Sequence, residues 1–248
     1  MNEVNTPKID RRKKYFLVLD TETANGLDDP FVYDLGFVVA DRKGNIYERH
    51  SYIIYDIFVA CRDLMKTAYY AEKIPNYEIA LKTKTRRLVQ FSTAKKIVAD
   101  VMAKYGITEV WAFNARFDRG SLNTTQRWLT KSKYRYFFPY GTEICCIWAV
   151  ACQTLCQQKA YFKFIKEHEL VNKGRVKTSA EVVYQYLHQE PNYEEEHTAL
   201  EDALIELEIL VKCFRQHKSI DRTPRRFPTS EVNKNYKMWK ETLVGMEV

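Results

Sequence analysis

The chain has no apolar run approaching the roughly 18 residues of a membrane span. Its opening stretch, MNEVNTPKIDRRKKYF, lacks the apolar centre of a secretion signal. Both absences point to a cytoplasmic protein with no membrane partner. Six cysteines in 248 residues are too few for a disulfide framework. Four of them, Cys145, Cys146, Cys152 and Cys156, crowd into EICCIWAVACQTLC without the paired C-x-x-C knuckles of a zinc site. The spacing from Cys145 to Cys152 and Cys156 predicts one helical face, and these thiols read as core packing. Internal repeats and low-complexity linkers are also missing.

What is present is a substantial core and an excess of positive charge. Hydrophobic residues make up 46% of the chain, ample for one large domain or two small ones. The net charge of +7 is gathered in clumps. KIDRRKK lies near the start, Lys82 to Lys96 carries six bases and no acid, and Arg215 to Lys240 carries eight bases against two acids. Basic flanks of this kind favour a polyanionic partner such as a nucleic acid. The organisation expected is a basic segment over residues 1–14, a central domain over 15–217 and a basic extension over 218–248.

KYFLVLDTE reads as a buried strand, and FVYDLGFVVAD and NIYERHSYIIY flank the turn signal Arg42-Lys43-Gly44 as a hairpin. Residues 57 to 90 are mixed, with Pro75 as a breaker. STAKKIVADVMAKYG predicts a helix capped by Ser92 or Thr93 and stopped by Gly106, and it feeds a strand at TEVWAF. Helical periodicity follows over about 116–130, 143–169, 179–188 and 199–216. Strands as a meander, then strands alternating with helices, imply an α/β fold with a mixed sheet and helices packed on it. The tail from Ser219 is either docked or a free arm.

LVLDTETANG sets Asp20 and Glu22 on the first strand, where apolar side chains belong. Residues i and i+2 of a strand share a face, so the carboxylates stand roughly 7 Å apart along the backbone. Like charges buried together are driven towards neutrality at a cost of several kcal/mol, an arrangement that makes sense with a cation between them.

VWAFNARFDRGSL places Asp118 in the first turn of a helix capped by Asn114, near the carboxyl edge of the sheet. In EEEHTALEDALIELEIL, Thr198 and Glu201 fit a capping box, so the helix begins after Thr198 and His197 lies in the loop before it. Inside one helix, His197 and Asp202 would be roughly 140° apart. With His197 outside it, both can face one site. Glu194, Glu195 and Glu196 read as a solvated acidic run, and Glu201 as a capping residue.

D-x-E at Asp20 and Glu22, N-A-x-F-D ending at Asp118, and H-x-x-x-x-D from His197 to Asp202 resemble, in order, the three motifs of the DEDD superfamily of 3′-to-5′ exonucleases, histidine subclass. The resemblance spans about residues 15 to 215. It implies a ribonuclease H-like α/β fold, with a mixed five-stranded sheet and helices on both faces. It also implies two divalent cations, magnesium or manganese. Asp20, Glu22 and Asp202 would hold the first, with Asp20 bridging to a second supported by Asp118. His197 would be the general base, and Thr23, Asn114 and Phe117 would contact the terminal nucleotide. Substrates in such a family are single-stranded or frayed 3′ ends of DNA or RNA. Two departures bear on substrate choice: Phe113 stands where many relatives have His, and Thr142-Glu143 where relatives often show Asp-Thr. Two other readings are a catalytically silent module that binds nucleic-acid ends and a scaffold whose basic tail recruits a polymerase or other replication partner.

Overall fold

The computed structural model describes residues 9–133 and 135–244. Most of the basic N-terminal segment, residues 1–8, lies outside the described residues. The chain opens with β1 (Tyr15–Ala24), β2 (Phe31–Asp41) and β3 (Ile46–Ile54), an antiparallel meander. Then come α1 (Tyr55–Phe58), two 3₁₀ turns at Arg62–Thr67 and Ala71–Lys73, α2 (Ile74–Lys82), β4 (Arg87–Val89) and α3 (Phe91–Tyr105). Next are β5 (Glu109–Ala112), α4 (Ala115–Thr130), β6 (Glu143–Cys146), α5 (Ile147–Gln153) and α6 (Lys159–Glu167). The hairpin β7 (Val171–Asn172) and β8 (Arg175–Val176) leads to α7 (Ala180–His188), α8 (Ala199–Phe214) and α9 (Ser230–Val244).

Among the described residues six strands form one mixed sheet, ordered β4-β3-β2-β1-β5-β6. The β1/β5, β5/β6 and β3/β4 pairs are parallel. The sixth strand beyond the five expected is β4, whose three residues are too few to show a period. Side-chain alternation along β1 divides the core in two. Tyr15, Leu17 and Leu19 pack with Ala94 and Val98 of α3 and Leu122 of α4. Phe16 and Val18 face the other way, towards Val150 of α5 and Ile209 and Leu210 of α8. The sheet therefore carries helices on both faces.

Several boundaries differ from the sequence pattern. Residues 143–146 are strand β6, not helix: a four-residue strand running straight into a helix looks helical by period alone. Cys145 therefore leaves the helical face expected for it with Cys152 and Cys156. Cys145, Cys146, Cys152, Cys156 and Cys213 are nonetheless buried, and all six cysteines are unpaired. Pro75 lies in the first turn of α2, where its missing N–H costs nothing, so it starts a helix. Helix α3 begins a residue before Ser92, with the Phe91 N–H capped by the Asp56 carboxylate at 2.7 Å. It ends as expected at Gly106, in the left-handed conformation at φ 64°.

The tail is docked. Val232 and Tyr236 of α9 are buried against the α8 side of the sheet, Tyr236 edge-on to Phe162. The Cys146 N–H donates to the Arg222 carbonyl at 2.9 Å, so the tail covers the edge strand β6. No helix among the described residues is long and apolar enough to cross a membrane.

Candidate functional site

By alternation Asp20 and Glu22 continue the face of β1 that carries Phe16 and Val18, the face covered by α8. The register pairs Asp20 with Gly36 of β2 and Glu22 with Asp34. Gly36 lets α8 approach, because a Cβ there would fall 2.1 Å from the Ala199 carbonyl carbon. The first turn of α8 thus lies directly on the strands and presents Asp202. One carboxylate oxygen each from Asp20, Glu22 and Asp202 lies within 4.8 Å of the others, close enough to share a cation. Asp202 is 9% exposed, and its Oδ1 is buried without a hydrogen-bond partner.

Crowding acids in a low-dielectric cleft makes them hold their protons. Burial first, then the charges of Glu206, Asp118, Glu22 and Asp202, drive the Asp20 carboxyl well above its ordinary range. Burial and Asp202 push Glu22 up to about 9. Asp202 is raised to about 7 by burial and by Glu201 and Asp34. A site that strains to neutralise its own carboxylates is suited to hard cations, and an all-oxygen donor set fits magnesium or manganese.

The N-terminus of α8 is fixed from the sheet. Asp34 of β2, 0% exposed, accepts from the Ala199 N–H at 3.2 Å, the Tyr77 hydroxyl at 2.8 Å and the Arg86 guanidinium at 2.7 Å. Arg86 also reaches Glu201 at 2.9 Å. The helix starts after Thr198 as expected, yet the capping box does not close. The Thr198 hydroxyl donates to the Glu201 carboxylate, and the Ala199 N–H that opens the helix is satisfied by Asp34 from another strand. One member of the Lys82–Lys96 cluster, Arg86, is therefore spent inside the fold.

His197 is in the loop before α8, with φ 53°. Its ring stacks on Tyr70, centroids 3.9 Å apart and planes at 11°, and its Nδ1 lies 3.9 Å from Glu195 Oε2. Ligand-type atoms of Glu181, Glu195 and His197 form a second group within 4.8 Å, separate from the three acids. Burial, then Lys73, lowers the imidazole pKa. The acidic run is not uniformly solvated: Glu194 and Glu196 are exposed, but the Glu195 side chain is 12% exposed and turned inwards.

Asp118 opens α4 as expected and is 4% exposed, but it stands outside the group of three. The Thr21 hydroxyl, on the opposite face of β1 from Asp20, donates to Asp118 Oδ1 at 2.9 Å. Burial raises the Asp118 carboxyl to about 7 against the lowering effect of that hydrogen bond. Asn114 occupies the N-cap position with its side chain exposed and not capping, while its carbonyl accepts from the Phe117 N–H at 2.7 Å. Phe117 is half-buried and Thr23 buried. Phe113 stacks on Trp148 at 6.4 Å, so this side chain serves packing.

Three acids at this site were not read from the sequence. Glu206 is 4% exposed, accepts from the Phe113 N–H at 3.1 Å and is the foremost charge acting on Asp20. The signal was its i+4 spacing from Asp202 on one helix face. Asp34 sits in FVYDLGF as Asp20 sits in LVLDTET, an acid inside an apolar strand. Glu195 carries no such mark within its run of three. No protein-family model matches the chain, and no curated protein matches it.

Proposed function

We propose that the chain is a cytoplasmic, metal-dependent 3′-to-5′ exonuclease that releases nucleoside monophosphates from nucleic-acid ends. The reading rests on the three motifs and on one observation above the rest: the Asp20, Glu22 and Asp202 carboxylates converge within 4.8 Å, with one buried oxygen left unpartnered. Asp20, Glu22 and Asp202 would hold a divalent cation, and Asp118, charge-coupled to Asp20, would support a second. Two such cations, magnesium or manganese, neutralise phosphoryl charge and stabilise both the attacking and the leaving oxygen.

The protein's own groups account for the rest. His197 has its pKa depressed, so its imidazole is neutral and able to take a proton from the attacking water at physiological pH. Exposed bases such as Lys82, Lys84 and Arg87, with Arg225 and Arg226 of the tail, supply phosphate affinity independent of sequence.

The test is incubation with 5′-labelled single- and double-stranded DNA and RNA in magnesium, manganese or EDTA. A ladder shortening from the 3′ end and abolished by EDTA is expected. Asp20→Ala and Asp202→Ala should abolish cleavage while nucleic-acid binding survives. Binding to ends without cleavage in either metal would leave the silent end-binding module instead.

A further inference from the structure

Glu195 belongs to neither the D-x-E motif nor the H-x-x-x-x-D motif, yet it is the best-buried acid in its run. Its Oε2 faces His197 Nδ1 at 3.9 Å, while its Oε1 is buried with no hydrogen-bond partner. It is also among the charges that act on Glu22. Glu195 groups with His197 and Glu181, and its charge is felt at the three-acid cluster. Its backbone N–H donates to Glu181 Oε2 at 3.5 Å, which ties the loop to α7.

The ring of His197 is held on its face as well. Tyr70 stacks on it almost in parallel, and Tyr69 meets Tyr70 edge-on at 4.9 Å. Lys73, Glu181, Glu72 and Glu194 are the charged groups that act most on the imidazole. Among the described residues, Nε2 takes no hydrogen bond. The ring is thus covered on one face, with Nδ1 turned towards a carboxylate 3.9 Å away and Nε2 left open.

We propose that Glu195 is a positioning residue for His197: its carboxylate, 3.9 Å from Nδ1, closes to accept a hydrogen bond from the Nδ1–H and so fixes the tautomer in which Nε2 accepts, while Tyr70 fixes the plane of the ring. Carboxylate partners of this kind orient imidazoles and raise their basicity in other sites. The inference rests on the exonuclease reading for its consequence in rate, but not for its geometry. Burial, with the charges of Asp202 and Glu181, pushes Glu195 up to about 8, so the carboxylate that accepts from Nδ1 is present above that pH, where the tautomer is to be read.

Two measurements test it on the full chain. Imidazole ¹⁵N shifts of His197 should report an Nδ1–H tautomer that reverts to Nε2–H in Glu195→Gln. An Nε2–H tautomer in the wild type overturns the proposal whether or not the protein cleaves nucleic acid. In kinetics, Glu195→Gln should lower kcat about tenfold with KM unchanged, and Glu195→Asp should recover part of the loss. In a His197→Ala background the same change should alter kcat less than about twofold. An equal loss in both backgrounds, or a shifted manganese requirement, would make Glu195 a cation ligand or a structural acid and sink the proposal. Wild-type melting behaviour in Glu195→Gln confirms that folding is not what changed.

Discussion

Gly36 of β2 lies directly beneath Ala199 of α8, with no room between them for a methyl group. The contact sets how far Asp202 stands from Asp20, the residue paired with Gly36 across the strands. Gly36→Ala must push the first turn of α8 off the sheet. We expect a loss of about 1–3 kcal/mol in stability, the usual range for overpacking, and cleavage reduced at least tenfold. A thermal melt and a turnover assay check this, and a fully active, equally stable variant would contradict the assignment.

Arg86 is the counter-charge for Asp34 and is largely withdrawn from water. Arg86→Ala leaves Asp34 buried with no cation beside it, a change that costs about 3–5 kcal/mol when a buried pair is broken. Denaturant unfolding should show that loss. Lys84→Ala and Arg87→Ala, exposed neighbours in the same cluster, should leave stability within about 0.5 kcal/mol.

Protonation of the acid cluster makes the metal-free protein sensitive to alkali. Glu22 is raised to about 9, and Asp118 and Asp202 to about 7, so the folded chain keeps protons that the unfolded chain releases. Their contribution is fully present below about pH 4 and is lost as pH rises through 7 and then 9. In EDTA the Tm should therefore fall by several degrees between pH 5 and pH 9. Saturating manganese should raise the Tm and flatten that slope. A metal-insensitive, pH-independent melt would remove these acids from a common site.

Truncation after residue 218 tests the tail. Because Val232 and Tyr236 are buried and the Arg222 carbonyl pairs with β6, we expect the truncated chain to lose stability outright, not merely nucleic-acid affinity. Binding is better probed by Arg226→Glu with Lys237→Glu, both exposed. This pair should melt like the wild type but bind single strands more weakly, with a shallower salt dependence. Unchanged binding would take the tail out of the interface.

The first three strands were legible because each couples a long apolar run to a clear turn, and their observed bounds fall within about two residues of the pattern. Strand β6 was not, since EICC runs straight into IWAVAC and a four-residue strand has no period of its own. Asp20, Glu22 and Asp202 could be paired in advance through strand alternation and helix position. Their partners could not. Asp34 caps a helix that begins 165 residues later in the chain, and Arg86 joins that cap from a stretch whose charge alone suggested a polyanionic partner. Such links depend on which elements are neighbours, and local pattern carries no record of that.

Strand β1 is paired on both sides, with β2 and with β5, whereas residues 193–198 have no regular secondary structure. The two halves of the candidate site therefore differ in stiffness. Asp20 and Glu22 cannot shift without disturbing the middle of the sheet, but Glu195 and His197 ride on a segment outside the sheet, tied down by side-chain contacts, by the Tyr193 N–H on the Glu190 carbonyl and by the start of α8. Under the exonuclease reading, sequence change in that segment would tune turnover while cation affinity stays constant. Change in β1 has no such freedom, because every alteration there is paid in the stability of the whole domain.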